Sequence, residues 1–423
     1  MESPWLIAYL VISGLIFVWS LLLALLTWEH RRYVRSCIRD ITRHQPSGRA
    51  ALFVPCKGVD LGLKENLRAL MQQDYDDYEI TFIVESPEDA AYQIIRRTMA
   101  EYPWVPTRIV VAGRAVDSGQ KVHNLLVATE RLSRRIKYLA FVDSDARPRP
   151  EWLRMLVARL EEPGLGAVTG YRWFTPQRPS LANALVYSMN CDVVSLLTRN
   201  SHYLIWGGSW AIRRELFDAI GLREAWRGTL SDDLVAGRLM RRLRLPVRFE
   251  PAAVVASPLN ESLLSALSFI RRQYLIARCY TFDWWLFSLV SATFTSLLWL
   301  GNLSVLVASF LTESLPTWIP LSVLVALYAV TVYRGRLRQD LVKTYFPYWE
   351  KASRPIRWCD IWLNPVVELA HWIGITAAAF GRWISWRGIR YRLLAGGKVA
   401  EIVRPDDAAI SAQEQPTSYR QAA

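Results

Sequence analysis

Four aspartates and a few basic side chains stand at spacings that could do chemistry. Asp143 and Asp145 are two residues apart in Asp143-Ser144-Asp145, directly after the apolar run Tyr138–Val142. In an extended segment, residues i and i+2 point the same way. Two ionised carboxylates at that range repel one another unless a cation lies between them. Mg²⁺ or Mn²⁺ is bound by a few carboxylates together with phosphate oxygens, which fits this pair. The plainer reading is a strand-end turn neutralised by Arg147 and Arg149. Ser231-Asp232-Asp233 precedes the helical run Leu234–Leu243 and has the composition of a helix N-cap. A capped carboxylate is also a rigidly held one, so Asp233 could take a proton from an acceptor hydroxyl. Lys121 and Asn124 open another helical run, where a lysine can pair with phosphate or simply face solvent. Arg271 and Arg272 lie in the amphipathic stretch Ser265–Tyr280, which reads as an interfacial helix whose arginines could hold a departing diphosphate.

The elements that must position these residues alternate in kind. Apolar runs at Ala51–Val54, Glu79–Val84, Arg108–Val111 and Tyr138–Val142 predict strands. Helical periodicity over Leu63–Gln73, Glu88–Glu101 and Gln120–Arg134 predicts the helices between them. This alternation predicts an α/β fold with a mostly parallel sheet, in which ligands bind at the carboxyl ends of the strands. Three of those ends carry acid: Asp60 after the first, Glu85 to Asp89 after the second, and Asp143 with Asp145 after the fourth. Neither a GxGxxG turn after the first strand nor a GxxxxGK[ST] loop is present. Dinucleotide redox chemistry and P-loop phosphate hydrolysis are therefore unsupported.

Composition places the domain beside a membrane. Hydrophobic residues make up 52% of the 423, concentrated at the N-terminus and after about residue 280. The net charge of +13 calls for anionic neighbours. Its basic residues sit beside apolar segments, which favours lipid head groups and a nucleotide diphosphate over nucleic acid. Five scattered cysteines show neither zinc nor disulfide spacing. Trp5–Trp28 is uncharged and would extend roughly 36 Å as a helix, enough to cross a bilayer. Arg31, Arg32, Arg35, Arg39 and Arg43 follow it, which predicts a cytoplasmic catalytic domain by the positive-inside rule. Further apolar stretches run over Trp284–Leu311, Trp318–Val332 and Ile361–Ile384. Basic segments follow the second and the third, and three clean spans would put these on opposite faces. One stretch is thus expected to be re-entrant or interfacial.

Taken together the motifs resemble family 2 glycosyltransferases, and most closely the ceramide glucosyltransferase group. The resemblance covers about residues 50 to 400. It rests on KGVD (Lys57–Asp60) with Asn66-Leu67, QKVHNL (Gln120–Leu125), DSDARP from Asp143, GGSWAIRREL from Gly207, the SDD triplet, and SWRGIRYRLLAGG (Ser385–Gly397). A divalent metal, Mn²⁺ or Mg²⁺, is expected on the Asp143–Asp145 pair but does not follow from family membership; the resemblance implies a GT-A nucleotide-sugar fold. It also implies Asp89 on the nucleotide base, Asp143 and Asp145 on the diphosphate and metal, Lys121 on the donor, and Asp233 as catalytic base. The family's (Q/R)xxRW motif should fall near Ile270–Tyr274, where this chain has Gln273-Tyr274 in place of Arg-Trp. A different grip on the diphosphate and acceptor follows.

The function so implied is a membrane-bound, inverting transfer of a hexose from a UDP-sugar to a lipid acceptor. Hopanoid, sterol, diacylglycerol and polysaccharide acceptors are the alternatives within enzymes, and an inactive membrane scaffold is the alternative outside them. The expected organisation is an N-terminal anchor over residues 1–30, a cytoplasmic catalytic domain over 48–260 and an interfacial helix over 261–282. A membrane region with two or three spans over 283–400 and a disordered tail over 403–423 complete it.

Overall fold

The computed structural model describes residues 4–39, 46–199, 202–312 and 315–405. Most of the expected tail lies outside these residues. A long first helix, α1 (Pro4–Arg39), leads into β1 (Arg49–Pro55), α2 (Leu63–Met71), β2 (Tyr78–Val84), α3 (Ala90–Glu101), β3 (Thr107–Val111), α4 (Gln120–Ala128) and β4 (Ile136–Val142). These are the four strands and three helices that the sequence alternation predicts. Only α4 is clearly shorter than expected, stopping before Thr129, whose hydroxyl bonds back to the Leu125 carbonyl at 2.7 Å. The chain continues through α5 (Trp152–Leu160), β5 (Ala167–Pro176), α6 (Leu181–Val194), β6 (Ser209–Arg213), α7 (Arg214–Ala219), α8 (Leu222–Trp226), α9 (Asp232–Arg242) and β7 (Val247–Leu259).

The seven strands form one mixed sheet in the order β3-β2-β1-β4-β6-β5-β7. β1 pairs in parallel with β2 on one side and β4 on the other, and β6 runs antiparallel between β4 and β5. Both faces are covered, so β1 is buried throughout its middle. Ala50, Leu52 and Val54 pack on the side of α2, α3 and α5, while Ala51 and Phe53 pack on the side of α4 and α9. The chain proceeds outward from β1 to β2 and β3, then restarts at β4 on the opposite flank. That reversal opens a crevice between the carboxyl ends of β1 and β4, where such sheets bind ligands.

Beyond the sheet lie α10 (Leu263–Tyr280), α11 (Phe282–Thr312), α12 (Trp318–Gln339), α13 (Val342–Tyr345), α14 (Arg354–Trp362) and α15 (Asn364–Ala377). Three helices are long and apolar enough to cross a membrane: α1, α11 and the stretch Trp318–Tyr345. The apolar stretch Ile361–Ile384 is not one of them. Its helix breaks at Leu363, restarts with Pro365 in its first turn, and runs for 14 residues, or about 21 Å. α15 packs instead against α11, α10 and α6. With that stretch removed the charge conflict disappears. The basic ends of α1 and α12 meet, with Arg31 and Arg35 both on Asp340, at 2.6 and 2.5 Å.

The chain then returns to the sheet domain. β8 (Trp383–Trp386), β9 (Ile389–Leu393) and β10 (Val399–Val403) form an antiparallel sheet. Its Ile384, Ile389, Tyr391 and Leu393 share one core with Val122, Leu125 and Phe141. This terminal arm therefore packs with the sheet domain, although its position in the chain follows the long apolar helices.

Gly170 marks the tightest approach within the sheet. A Cβ there would overlap the Ala253 carbonyl on β7 and the Ser209 hydroxyl on β6. Gly170→Ala is expected to cost about 1–3 kcal/mol and to lower the melting temperature of detergent-purified protein. An unchanged melting temperature would show that β5 and β7 separate freely at this point.

Candidate active site

Lys121, in the first turn of α4, places its ammonium among three elements. Its Nζ lies 2.8 Å from Asp143 Oδ1 at the end of β4 and 3.1 Å from Asp232 Oδ1 at the start of α9. It also donates to the Gly207 carbonyl before β6, at 3.2 Å. Burial opposes the charge on this lysine, but Asp143, Asp232 and Asp233 outweigh it and hold the group protonated well beyond its ordinary range. Burial likewise opposes ionisation of Asp143, and Lys121 overcomes it, so this carboxyl lies below the usual range.

Asp145 is in a different condition. Its Oδ2 faces Arg172 of β5 at 3.1 Å, while its Oδ1 is buried without a hydrogen-bond partner. Burial, partly offset by Arg172 and reinforced by Asp143, pushes its pKa up. Asp143 and Asp145 thus face different partners, yet both line one cavity of about 730 Å³ at the β1–β4 crevice. Asp60 and Lys57 from the loop after β1, Arg272 from α10 and Arg387 from the terminal arm line it too.

A second cavity of about 260 Å³ lies across a shared wall that includes Lys121, Asp143, Arg172 and Arg272. It is lined by Asp232 and Asp233 and by apolar surface from Tyr171, Trp206, Tyr274 and Trp284. Asp233 is held firmly. Its Oδ2 accepts from the Gly207 N–H at 2.7 Å, and its Oδ1 accepts from the Leu234 N–H at 2.7 Å and from the Ser231 hydroxyl. Ser231 is the N-cap of α9, so cap and carboxylate are fixed together, as the sequence pattern allowed.

The two arginines of the amphipathic helix diverge. Arg272 stacks between Phe269 and Trp386 at the donor-sized cavity, whereas Arg271 donates to the Phe380 carbonyl at 2.9 Å. An arginine and a tryptophan do meet here, supplied by α10 and β8 rather than by neighbouring positions in one motif. Gln273 and Tyr274 face the second cavity. Asp89 stands behind the lining: its Oδ1 caps α3 through Ala91 N–H and accepts from Gly58 N–H, both at 2.9 Å. It shapes the loop after β1 through Gly58. Arg172, Trp206, Trp386 and Arg387 were not singled out from sequence. Arg387 lies within the SWRGIRYR stretch, but Arg172 sits in a strand with nothing local to mark it.

The terminal arm is bolted to this site. Arg404 pairs with Glu85 at 2.6 Å and donates to Gln120 Oε1 at 2.6 Å. The Tyr280 hydroxyl accepts from Leu230 N–H at 2.8 Å and donates to the Gly397 carbonyl.

An α/β sheet with acids at a topological switch point, an arginine-rich cavity and an adjoining apolar one make up a site of the kind a glycosyltransferase needs, and the family match supplies the class. The chain belongs to glycosyl transferase family 21, whose profile matches residues 12–399. Ceramide glucosyltransferase 1 of Caenorhabditis elegans is 26% identical over 120 residues, which are 28% of this chain and 25% of that protein. Ceramide glucosyltransferase 3 of the same organism is 28% identical over 78 residues, 18% of this chain and 17% of that protein. The matched segments thus span a quarter or less of these relatives. Among solved structures, a mannosyltransferase from Pyrobaculum calidifontis in complex with GDP-Man and Mn²⁺ overlaps 87% of this chain and 97% of its own, at 15% identity and a TM-score of 0.47. Glucosyl-3-phosphoglycerate synthase from Mycobacterium tuberculosis, with phosphoglyceric acid, overlaps 54% of this chain and 78% of its own, at 15% identity and a TM-score of 0.33.

Asp232 gives the site a pH signature. Burial, opposed by Lys121 and reinforced by Asp233, pushes its carboxyl up to about 7 from the ordinary 3.8. A carboxyl raised on folding stabilises the folded state below its unfolded pKa, and that contribution is lost as pH rises through the folded value. Stability should fall between about pH 4 and pH 7 in the wild type. Asp232→Asn should fall less, measured as melting temperature across that range. A pH-independent difference between the two would show that Lys121 keeps Asp232 ionised throughout.

Proposed function

We propose that the protein transfers a hexose from a UDP-sugar to the hydroxyl of a membrane lipid, with inversion at the anomeric carbon. The observation that carries this reading is the shared wall. A polar, arginine-lined cavity sized for a nucleotide-sugar abuts an apolar cavity that contains the aspartates, and Trp284 and Trp285 at the start of α11 border the latter. α11 is apolar enough to cross a bilayer, so a lipid could present its head group here while its chains stay in the membrane. The ceramide glucosyltransferase names of the relatives agree with a lipid acceptor.

Asp233 is the proposed base. Its carboxylate is oriented by two backbone N–H groups and the Ser231 hydroxyl, and Oδ2, which accepts from Gly207 alone, keeps a lone pair for the acceptor. Deprotonation there lets the acceptor oxygen attack the anomeric carbon from the side opposite the departing UDP. Lys121 keeps Asp143 ionised and neutralises Asp232, so the carboxylates can converge. Arg272 supplies positive charge beside the leaving diphosphate.

A divalent metal fits Asp143 and Asp145. Asp145 Oδ1 is a buried carboxylate oxygen with no partner, and the two side chains line the same cavity. No cluster of three or more ligating side chains occurs among the described residues, so the remaining ligands would be diphosphate oxygens and water. When bound, Mg²⁺ or Mn²⁺ would offset negative charge on the diphosphate. A cytoplasmic catalytic domain is supported by the positive-inside rule, because the arginines of α1 are gathered at its carboxyl end, next to β1.

UDP release by detergent-purified protein, measured with a panel of UDP-sugars, lipid acceptors and Mn²⁺ or Mg²⁺, tests this directly. Acceptor-dependent release with one sugar is the expected outcome, and silence with every pair would count against it. Asp233→Asn should lower transfer by roughly 10²–10⁴ while leaving UDP affinity near wild type. Undiminished transfer would move the base elsewhere.

A further inference from the structure

The tip of the β8–β9 hairpin carries a side chain that the local backbone disfavours. Trp386 pairs with Ile389, leaving Arg387 and Gly388 as a two-residue turn with φ of 53° and 79°. Turns with both residues at positive φ favour Asn-Gly or Gly-Gly, because a side chain crowds the backbone there. An arginine in the first position is therefore an outlier, and strained positions of this kind concentrate at functional sites.

Arg387 lines the larger cavity. It pairs with Asp60, whose other oxygen accepts from the Ser144 hydroxyl at 2.6 Å. Ser144 is the residue between Asp143 and Asp145, so the hairpin tip is linked to that turn through one carboxylate. Arg387 shares the cavity with Arg172 and Arg272. Arg172 answers Asp145, but Arg272 has no ion pair with a carboxylate among the described residues. Burial and the nearness of Arg172 and Arg387 lower its pKa to about 10. Three guanidinium groups share one space, and only two of them face a carboxylate.

We infer that Arg387 is a donor clamp: on binding of a nucleoside diphosphate its guanidinium leaves Asp60 and grips the phosphates. The inference rests on the donor-binding reading above and deepens it, because it makes the terminal arm a working part of the donor site. No bond is made or broken in the step. Arg387 exchanges a carboxylate for phosphate oxygens, which offer the same planar, two-point recognition.

The turn itself supplies a discriminating variant. Arg387→Gly removes the guanidinium and also the strain, since glycine accepts a φ of 53°. Full-length protein in detergent is titrated with UDP and with uridine, in the presence of Mn²⁺, alongside thermal melting. The clamp predicts that R387G melts at or above the wild-type temperature, binds UDP at least about tenfold more weakly, and binds uridine, which has no phosphate, as the wild type does. Arg387→Lys, which keeps the charge without the fork, should fall between. UDP affinity unchanged in R387G would overturn the clamp and leave the wider reading intact. A drop in melting temperature with equal loss of UDP and uridine binding would also overturn it, making the Arg387–Asp60 pair a structural staple. Failure of the wild type to bind UDP at all would overturn both readings.

Discussion

A single buried ammonium lets the site exist. Asp143, Asp145, Asp232 and Asp233 come from the end of one strand and the start of one helix, and like charges brought together in a dry crevice repel strongly. Lys121 lies between two of them, and its third direction is taken by the Gly207 carbonyl. Gly207 in turn gives its N–H to Asp233. The lysine therefore fixes β4, α9 and the loop before β6 in one arrangement, and the cavities on either side share Lys121 as a wall. Glycine is required where the strands and loops close on this point. A Cβ at Gly207 would crowd the Lys121 ammonium and the Asp233 carboxylate.

The long apolar helices are joined to this centre by a second set of charges. Arg334 meets Asp192 of α6 at 2.9 Å, and Arg338 pairs with Asp192 and, at 2.9 Å, with Asp360 of α14. α6 follows β5, which carries Arg172, so the long helices and the sheet are held in register. Buried pairs of this kind add little net stability, but loss of one partner leaves an isolated charge and is costly. They act on geometry. The apolar cavity keeps its position relative to α11, and hence to any lipid that approaches along it.

Much of this was legible in the sequence, for identifiable reasons. The first four strands are short apolar runs bounded by polar turns, and the three helices between them carry clear periodicity. Asp143, Asp145, Lys121 and Asp233 lie in local patterns, and the structure gathers all four. β5 and β7 escaped notice because both are buried and long, with little alternation to mark them. Arg172 went with β5. Arg271 and Arg272 are adjacent and chemically alike, and only packing against Phe380 and Trp386 separates them. The stretch Ile361–Ile384 has enough apolar residues to resemble a span, and Pro365 is the one local mark of the break at Leu363. The terminal arm was assigned to the membrane region by position in the chain, and no local signal shows that it folds back.

That return has a consequence for biosynthesis. Asp60 and Arg387 are 327 residues apart in the chain, and Glu85 and Arg404 are 319 apart. At the usual pace of synthesis the first loop waits on the order of half a minute for its partner. During that interval the sheet and the long apolar helices can form, yet one wall of the larger cavity has not been made. A nascent chain thus holds most of its fold before it can close on its ligand. The arm that carries Arg387 and Arg404 decides when the protein becomes competent.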